Sequence, residues 1–163
     1  MYLAPLMNRA FLSSVIALCA CGAPSSPETS GILYSPCAWV QVQPEAGTTE
    51  AEHASVLAAI TLWRDVGVTS LSTSEGVSVP VRFADAAAVF HGVYEPSSGV
   101  VSINRELNGI ERDITVAHEL GHALGLPHVP LGERASVMNP RNLTVIPSPS
   151  DQAALQRLWD CPL

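Results

Sequence analysis

Residues 118–128 read His-Glu-Leu-Gly-His-Ala-Leu-Gly-Leu-Pro-His, and this stretch limits what the chain can fold into more than any other. Side chains four apart on an α-helix share a face, so His118 and His122 can reach one metal ion if this stretch is helical. Glu119 follows the first histidine and can lean over the ion, where an attacking water would sit. Gly125 lets the chain leave the helix through a backbone conformation that other residues resist. The turn it permits brings His128 back as a third ligand. Three imidazoles with a fourth position left open describe a catalytic zinc site, whereas a structural site closes all four positions with protein. Copper or nickel could also accept such ligands. A helix carrying two incidental histidines would explain neither Gly125 nor His128 at its spacing.

The pattern of His118, Glu119, His122, Gly125 and His128 resembles the metzincin clan of zinc peptidases. His-Glu-Leu-Gly-His-Ala-Leu-Gly-Leu is similar to the matrixin branch of that clan, particularly to its small bacterial members. The clan carries a methionine turn beneath the metal. Ser136-Val137-Met138-Asn139-Pro140 stands about ten residues after His128, and Met138 is the only methionine beyond the N-terminal segment. The resemblance implies an α+β, zincin-like single domain, with a small mixed twisted sheet and three main helices: a first helix, a zinc-site helix and a C-terminal helix. It implies a zinc-dependent endopeptidase with one catalytic Zn2+ on His118, His122 and His128, Glu119 as general base, and Met138 packed under the ligands without binding the ion.

In such enzymes an edge strand above the metal pairs with extended substrate. Gly99, Val100, Val101, Ser102, Ile103 and Asn104 are the segment expected in that role, with an ordinary sheet strand as the plain alternative. Vertebrate matrixins hold a second, structural zinc in this region, but only His91 and Asp85 are available here, so that site is not carried over. Calcium is not supported either, since no dense cluster of acidic ligands is present. Val129 after the third histidine and Asn139-Pro140 after Met138 leave the subfamily open.

Periodicity supplies the rest of the frame. Ala38 to Gln43 alternates apolar and polar, as a half-buried strand does. Thr49 with Glu52 forms a capping-box signature, and Val56, Ala59, Ile60, Trp63 and Val66 then recur at helical spacing up to Gly67. Trp63 reads as core packing. Val77 to Phe83 reads as a strand in which Pro80 suggests an edge position or a late start. Val89–Tyr94 and Val100–Asn104 read as two more, separated by a turn at Glu95–Gly99. Asn108 with Glu111 signals the start of the zinc helix, which runs to about Leu124. Gly121 on that helix marks close packing against another element. Ser148-Pro149-Ser150-Asp151 starts the last helix, whose buried face is Leu155, Leu158 and Trp159.

The N-terminal part differs in composition. Arg9 followed by the apolar run Ala10–Ala20 reads as an export signal, too short to remain as a membrane span. Leu18-Cys19-Ala20-Cys21 resembles a lipobox with Cys21 as the lipidated residue; a plain signal cut near Ala20 or Ala23 is the alternative. The expected organisation is therefore a lipoprotein-type signal over 1–20, a flexible Ser/Pro/Gly-rich tether over 21–35, and a matrixin-like catalytic domain over 36–163. Cys37 and Cys161 remain, one at each end of the domain, and an oxidising compartment would let them pair. A latency switch through Cys37 is the other reading, but the residues around it are not those of such a switch.

The net charge of −7 argues against a nucleic-acid partner. A protein or peptide substrate, a monomer, and membrane association through the lipid anchor only are expected. The location expected is the bacterial cell envelope, as an outer-membrane lipoprotein, or secretion if the chain is not lipidated. Two other functions compete: a non-catalytic zinc-binding lipoprotein, and a zinc hydrolase of a non-peptide amide of the cell envelope. The intact Glu119 argues against the first of these.

Overall fold

A computed structural model describes residues 31–163. The expected export signal, Cys21 and most of the tether lie outside the described residues. Five strands and three helices follow in the order β1 (Val40–Pro44), α1 (Glu50–Asp65), β2 (Leu71–Ser72), β3 (Val77–Ala84), β4 (Gly92–Glu95), β5 (Val100–Asn104), α2 (Gly109–Ala123) and α3 (Pro149–Trp159). The strands form one mixed sheet in the order β2-β1-β3-β5-β4. All pairings are parallel except that of β4, which runs antiparallel to β5 at one edge. The expected α+β fold with three main helices is the one observed.

Alternation decides which face of the sheet is covered. Val40, Val42, Val79, Val81, Phe83, Val101 and Ile103 are buried, and they share one core with the buried stripe of α1, made by Val56, Ala59, Ile60 and Trp63. α1 holds its start through the Thr49–Glu52 capping box read from the sequence. It packs along α2, and the Trp63 indole Nε1–H donates to the Ala117 carbonyl at 2.9 Å, one residue before His118. Burial of one large side chain thereby also fixes the height of the metal helix relative to the sheet.

Three sequence expectations are corrected. Pro80 is not at an edge, because β3 lies between β1 and β5. Val77 N–H and Val81 C=O both bond toward β1. Alternation therefore turns Pro80 toward β5, where pairing begins only at Val81 with Val101, so the missing N–H removes no ladder bond. Asn108 occupies the N-cap of α2 but makes no side-chain capping bond. Leu158 on α3 is 50% exposed, and Leu155 alone of the expected trio is fully buried. Ile32 and Tyr34, just before the expected domain, also bond to it. Ile32 N–H donates to Pro96 O, Tyr34 N–H to Ala123 O, and the Tyr34 hydroxyl to Gly99 O, while Tyr94 donates its hydroxyl proton to Ile32 O.

Cys37 and Cys161 form a disulfide across 124 positions of sequence. Closing so long a loop removes much of the freedom of the unfolded chain. The Cys37→Ala/Cys161→Ala protein is expected to lose about 3–5 kcal/mol of stability in the loop-entropy account. Urea denaturation of the oxidised parent and the double variant reads this directly; coincident midpoints would show that the bridge constrains nothing.

Candidate metal centre

α2 is buried on almost every side from Ile114 to Gly121, so His118 and Glu119 sit in the interior rather than on a solvated face. The helix ends at Leu124, and Gly125 follows with φ +96°. Gly125 N–H bonds to His122 O and Leu126 N–H to Gly121 O, both at 2.9 Å, which closes the helix end and turns the chain. Val129 N–H then bonds to Met138 O at 2.9 Å and holds the His128 segment against the turn Ser136–Asn139.

The result is a triangle of imidazole nitrogens. His118 Nε2 and His122 Nε2 are 3.1 Å apart, His122 Nε2 and His128 Nε2 3.1 Å, and His118 Nε2 and His128 Nε2 3.3 Å. These contacts are not all hydrogen bonds. His118 Nδ1 donates to Val137 O at 2.6 Å and His122 Nδ1 to Leu126 O at 2.8 Å. Those two rings spend their one neutral N–H on a carbonyl, so each turns an Nε2 lone pair into the triangle. Bare lone pairs at this distance repel, and a cation between them resolves the conflict. Zn–N bonds of about 2.0–2.1 Å at tetrahedral angles place ligand nitrogens about 3.3–3.4 Å apart, close to the observed edges. The three histidines are the metal-competent cluster among the described residues.

Burial sets the protonation of the site. It pushes the His118 imidazole down to about 4, with His122 and His128 adding to the effect against the Val137 carbonyl, so the ring stays neutral and free to ligate. It pushes the Glu119 carboxyl up to about 7, opposed in part by the Tyr94 backbone N–H. His122 is lowered by the same desolvation. Glu119 reaches the sheet because Gly92 has no side chain. A Cβ there would lie 2.9 Å from Thr115 Cγ2, 3.0 Å from Glu119 Cγ and 3.1 Å from Glu119 Oε1.

Met138 is buried beneath this helix. A Cβ on Gly121 would stand 2.3 Å from Met138 Sδ, so the thioether fills the space that the glycine leaves. The turn that carries Met138 is fixed from α3. Ser136 Oγ accepts from Met138 N–H at 3.0 Å and donates to Asp151 Oδ1. Asp151 also takes Arg134 at 2.8 Å, and its other oxygen takes the Ser148 N–H at 3.0 Å and the Ser148 hydroxyl at 2.7 Å. From sequence Asp151 was visible only as an acid suited to a helix start; its second role depends on tertiary proximity that no local pattern encodes.

The histidines and Glu119 open into a cleft of about 590 Å³. Gly92, Val93 and Tyr94 of β4 line it, as do Pro140, Arg141 and Asn142 after the Met138 turn. The segment Gly99–Asn104 does not supply a free edge. β5 is paired on both sides, with β3 and with β4, so its backbone groups are spent. The open edge belongs to β4. Asn104 N–H bonds to His91 O, so alternation directs His91 and Val93 toward β5 and leaves the backbone groups of Gly92 and Tyr94 facing outward. Asn104 organises this rim instead: its buried amide donates to Phe90 O at 2.8 Å and to Ala87 O at 3.3 Å.

No family model matches the chain, and no curated protein matches it in sequence. In structure it is similar to high choriolytic enzyme 1, a hatching enzyme zinc-protease from Oryzias latipes (medaka fish), at 13% identity and a TM-score of 0.51, over 79% of this chain and 93% of that one. It also matches myroilysin at 18% identity and a TM-score of 0.45, over 81% of this chain and 66% of that one. The first likeness is one of fold, and it agrees with the metzincin-like architecture expected from the motif.

Two outcomes are expected of variants here. His122→Ala should lower bound zinc from one ion per chain to none by elemental analysis; unchanged stoichiometry would remove His122 from the ligand set. Asp151 is desolvated, but hydrogen bonds from Ser136, Arg134 and Ser148 outweigh that and hold its carboxyl below the usual range. A lowered carboxylate adds stability above its unfolded pKa of about 3.9 and loses it as pH falls through the depressed value. Urea midpoints of Asp151→Asn should therefore lie well below the parent at pH 7 and converge on it in acid. A constant gap across that range would contradict the assignment.

Proposed function

We propose that the chain is a zinc-dependent endopeptidase. The observation that carries this reading is the convergence of three imidazole Nε2 atoms and a buried carboxylate in one cleft, beside a strand edge that pairs with no other strand. Zinc, when bound by His118, His122 and His128, supplies a Lewis acid that polarises a carbonyl and acidifies a water. Glu119 is the general base. Its carboxylate, buried and lining the cleft beside the three histidines, is placed to take a proton from the attacking water and to hand that proton to the departing amine. The outward-facing backbone of Gly92, joined by Tyr94 once its N–H exchanges the Glu119 carboxylate for substrate, receives the substrate as an added antiparallel strand, which fixes the scissile bond over Glu119 without reading side chains. Met138 and Asp151 act on geometry alone, by holding Val137 O where His118 Nδ1 needs it.

The Cys37–Cys161 bond favours an oxidising compartment. With the apolar run and lipobox-like residues at 10–21, this supports export and attachment through acyl chains on Cys21. No described helix is long and apolar enough to cross a membrane.

Glu119→Ala is expected to keep one zinc per chain and to lose at least about 10²–10⁴ of its rate on unfolded protein and mixed peptides. Cleavage by the parent that stops with a chelator and is absent in the variant establishes the reading. Undiminished turnover by Glu119→Ala would overturn the base assignment, and a folded, zinc-loaded parent that cuts nothing would overturn the peptidase.

A further inference from the structure

Arg141 stands where the backbone favours glycine. Asn142 N–H bonds to Asn139 O at 3.2 Å, Pro140 occupies the second position of this turn, and Arg141 occupies the third with φ +60°. A turn with proline second and a positive φ third takes glycine or asparagine by preference, and a bulky side chain there is strained. The backbone has no room to relax, because the residues at both ends of the turn are pinned. Asn139 donates to Val129 O at 2.9 Å and Arg134 O at 3.0 Å, and Asn142 donates to Val145 O at 2.6 Å and Val137 O at 3.1 Å. The strain is held in place by its surroundings, and strain so held clusters at functional sites.

The side chain that occupies this costly position lines the cleft. Among the described residues lining it, Arg141 is the one guanidinium and Glu119 the one carboxylate. Four other arginines are spent on structure: Arg82 on Glu45, Arg105 on Glu52, Arg134 on Asp151, and Arg112 on Ser55 Oγ and Ala51 O; Arg64 and Arg157 are exposed on α1 and α3 and do not line the cleft. Arg141 is exposed, and no hydrogen bond or ion pair engages its guanidinium among the described residues. In a chain of net charge −7 and no lysine, a free guanidinium at the mouth of a metal cleft runs against the general charge balance.

We propose that Arg141 determines specificity by receiving a substrate carboxylate. The inference rests on the peptidase reading and names the substrate class that reading leaves open. The carboxylate has two possible sources, an aspartate or glutamate side chain near the scissile bond, or the free C-terminus of a short peptide. A guanidinium can take either by a paired hydrogen bond. The site is partly solvated, so the preference is modest, roughly fivefold over an uncharged isostere, and salt weakens it.

Binding and turnover test this separately. Labelled peptides of one neutral parent sequence would carry Glu or Gln at each position in turn, with a free or an amidated C-terminus. Their affinity for the zinc-loaded Glu119→Ala protein is read by fluorescence anisotropy, and kcat/KM is measured on the protein with Glu119 intact. At low salt, one Glu peptide should bind roughly fivefold tighter than its Gln twin, or the free acids tighter than the amides. The first result assigns the carboxylate to a side chain and the second to the chain end. The gap should close in Arg141→Gly, which relieves the strained φ, and reverse in Arg141→Glu, while neutral peptides bind all three proteins alike. A preference that survives in Arg141→Gly, or turnover without any carboxylate preference, overturns the role of Arg141. A carboxylate preference in binding with no turnover of any peptide overturns the peptidase reading and leaves Arg141 standing. No binding of any peptide overturns both.

Discussion

Two backbone carbonyls decide the chemistry of this protein. Val137 O and Leu126 O each take the Nδ1 proton of a histidine, and by doing so they select the tautomer that turns Nε2 inward. Without them the same three rings in the same places would have free choice of proton position. Both carbonyls are products of chain turns. Leu126 is placed by the exit from α2 at Gly125, and Val137 by the turn that Ser136, Asn139 and Asp151 hold together. The core of the domain can be understood as the support for those two turns: Trp63 sets the helix, Met138 fills the gap under Gly121, and α3 holds the far side through Asp151.

The histidine triangle, the place of Glu119 beside it, the methionine turn and all three helices are legible in the sequence because each is a local code. Spacing of four places two histidines on one face, and capping signatures mark helix starts within one turn. What was not legible is tertiary. Nothing near Asp151 reports that its carboxylate reaches back to Ser136, since its local surroundings are those of any helix start. Pro80 gave a misleading signal for a related reason. A proline costs a ladder bond only if its N–H would have pointed at a paired neighbour, and that depends on where β5 begins to pair, which is a property of a different strand.

The substrate strand shows the same limit more sharply. Val100–Asn104 reads as a strand with the bounds that β5 has, yet that both its sides are paired cannot be read there, because a strand's position in the sheet order is not written in its own residues. The hairpin Glu95–Gly99 turns β4 outward past β5, so the strand with the weaker periodic signal holds the free edge. Gly92 is the residue that could have pointed there. A glycine inside a strand suggests a close approach by something else, and here that something is the side chain of Glu119.

Residues 32–34 are bound to the β4–β5 turn, and Leu33 reaches the cleft wall, so the chain enters the domain beside the mouth of the site. Chain length then limits reach. With an acyl group on Cys21, the twelve peptide units to Leu33 span at most about 40 Å when fully extended. The cleft would patrol a shell of that depth above the bilayer, and a target would meet it by lying within that shell, whatever its sequence.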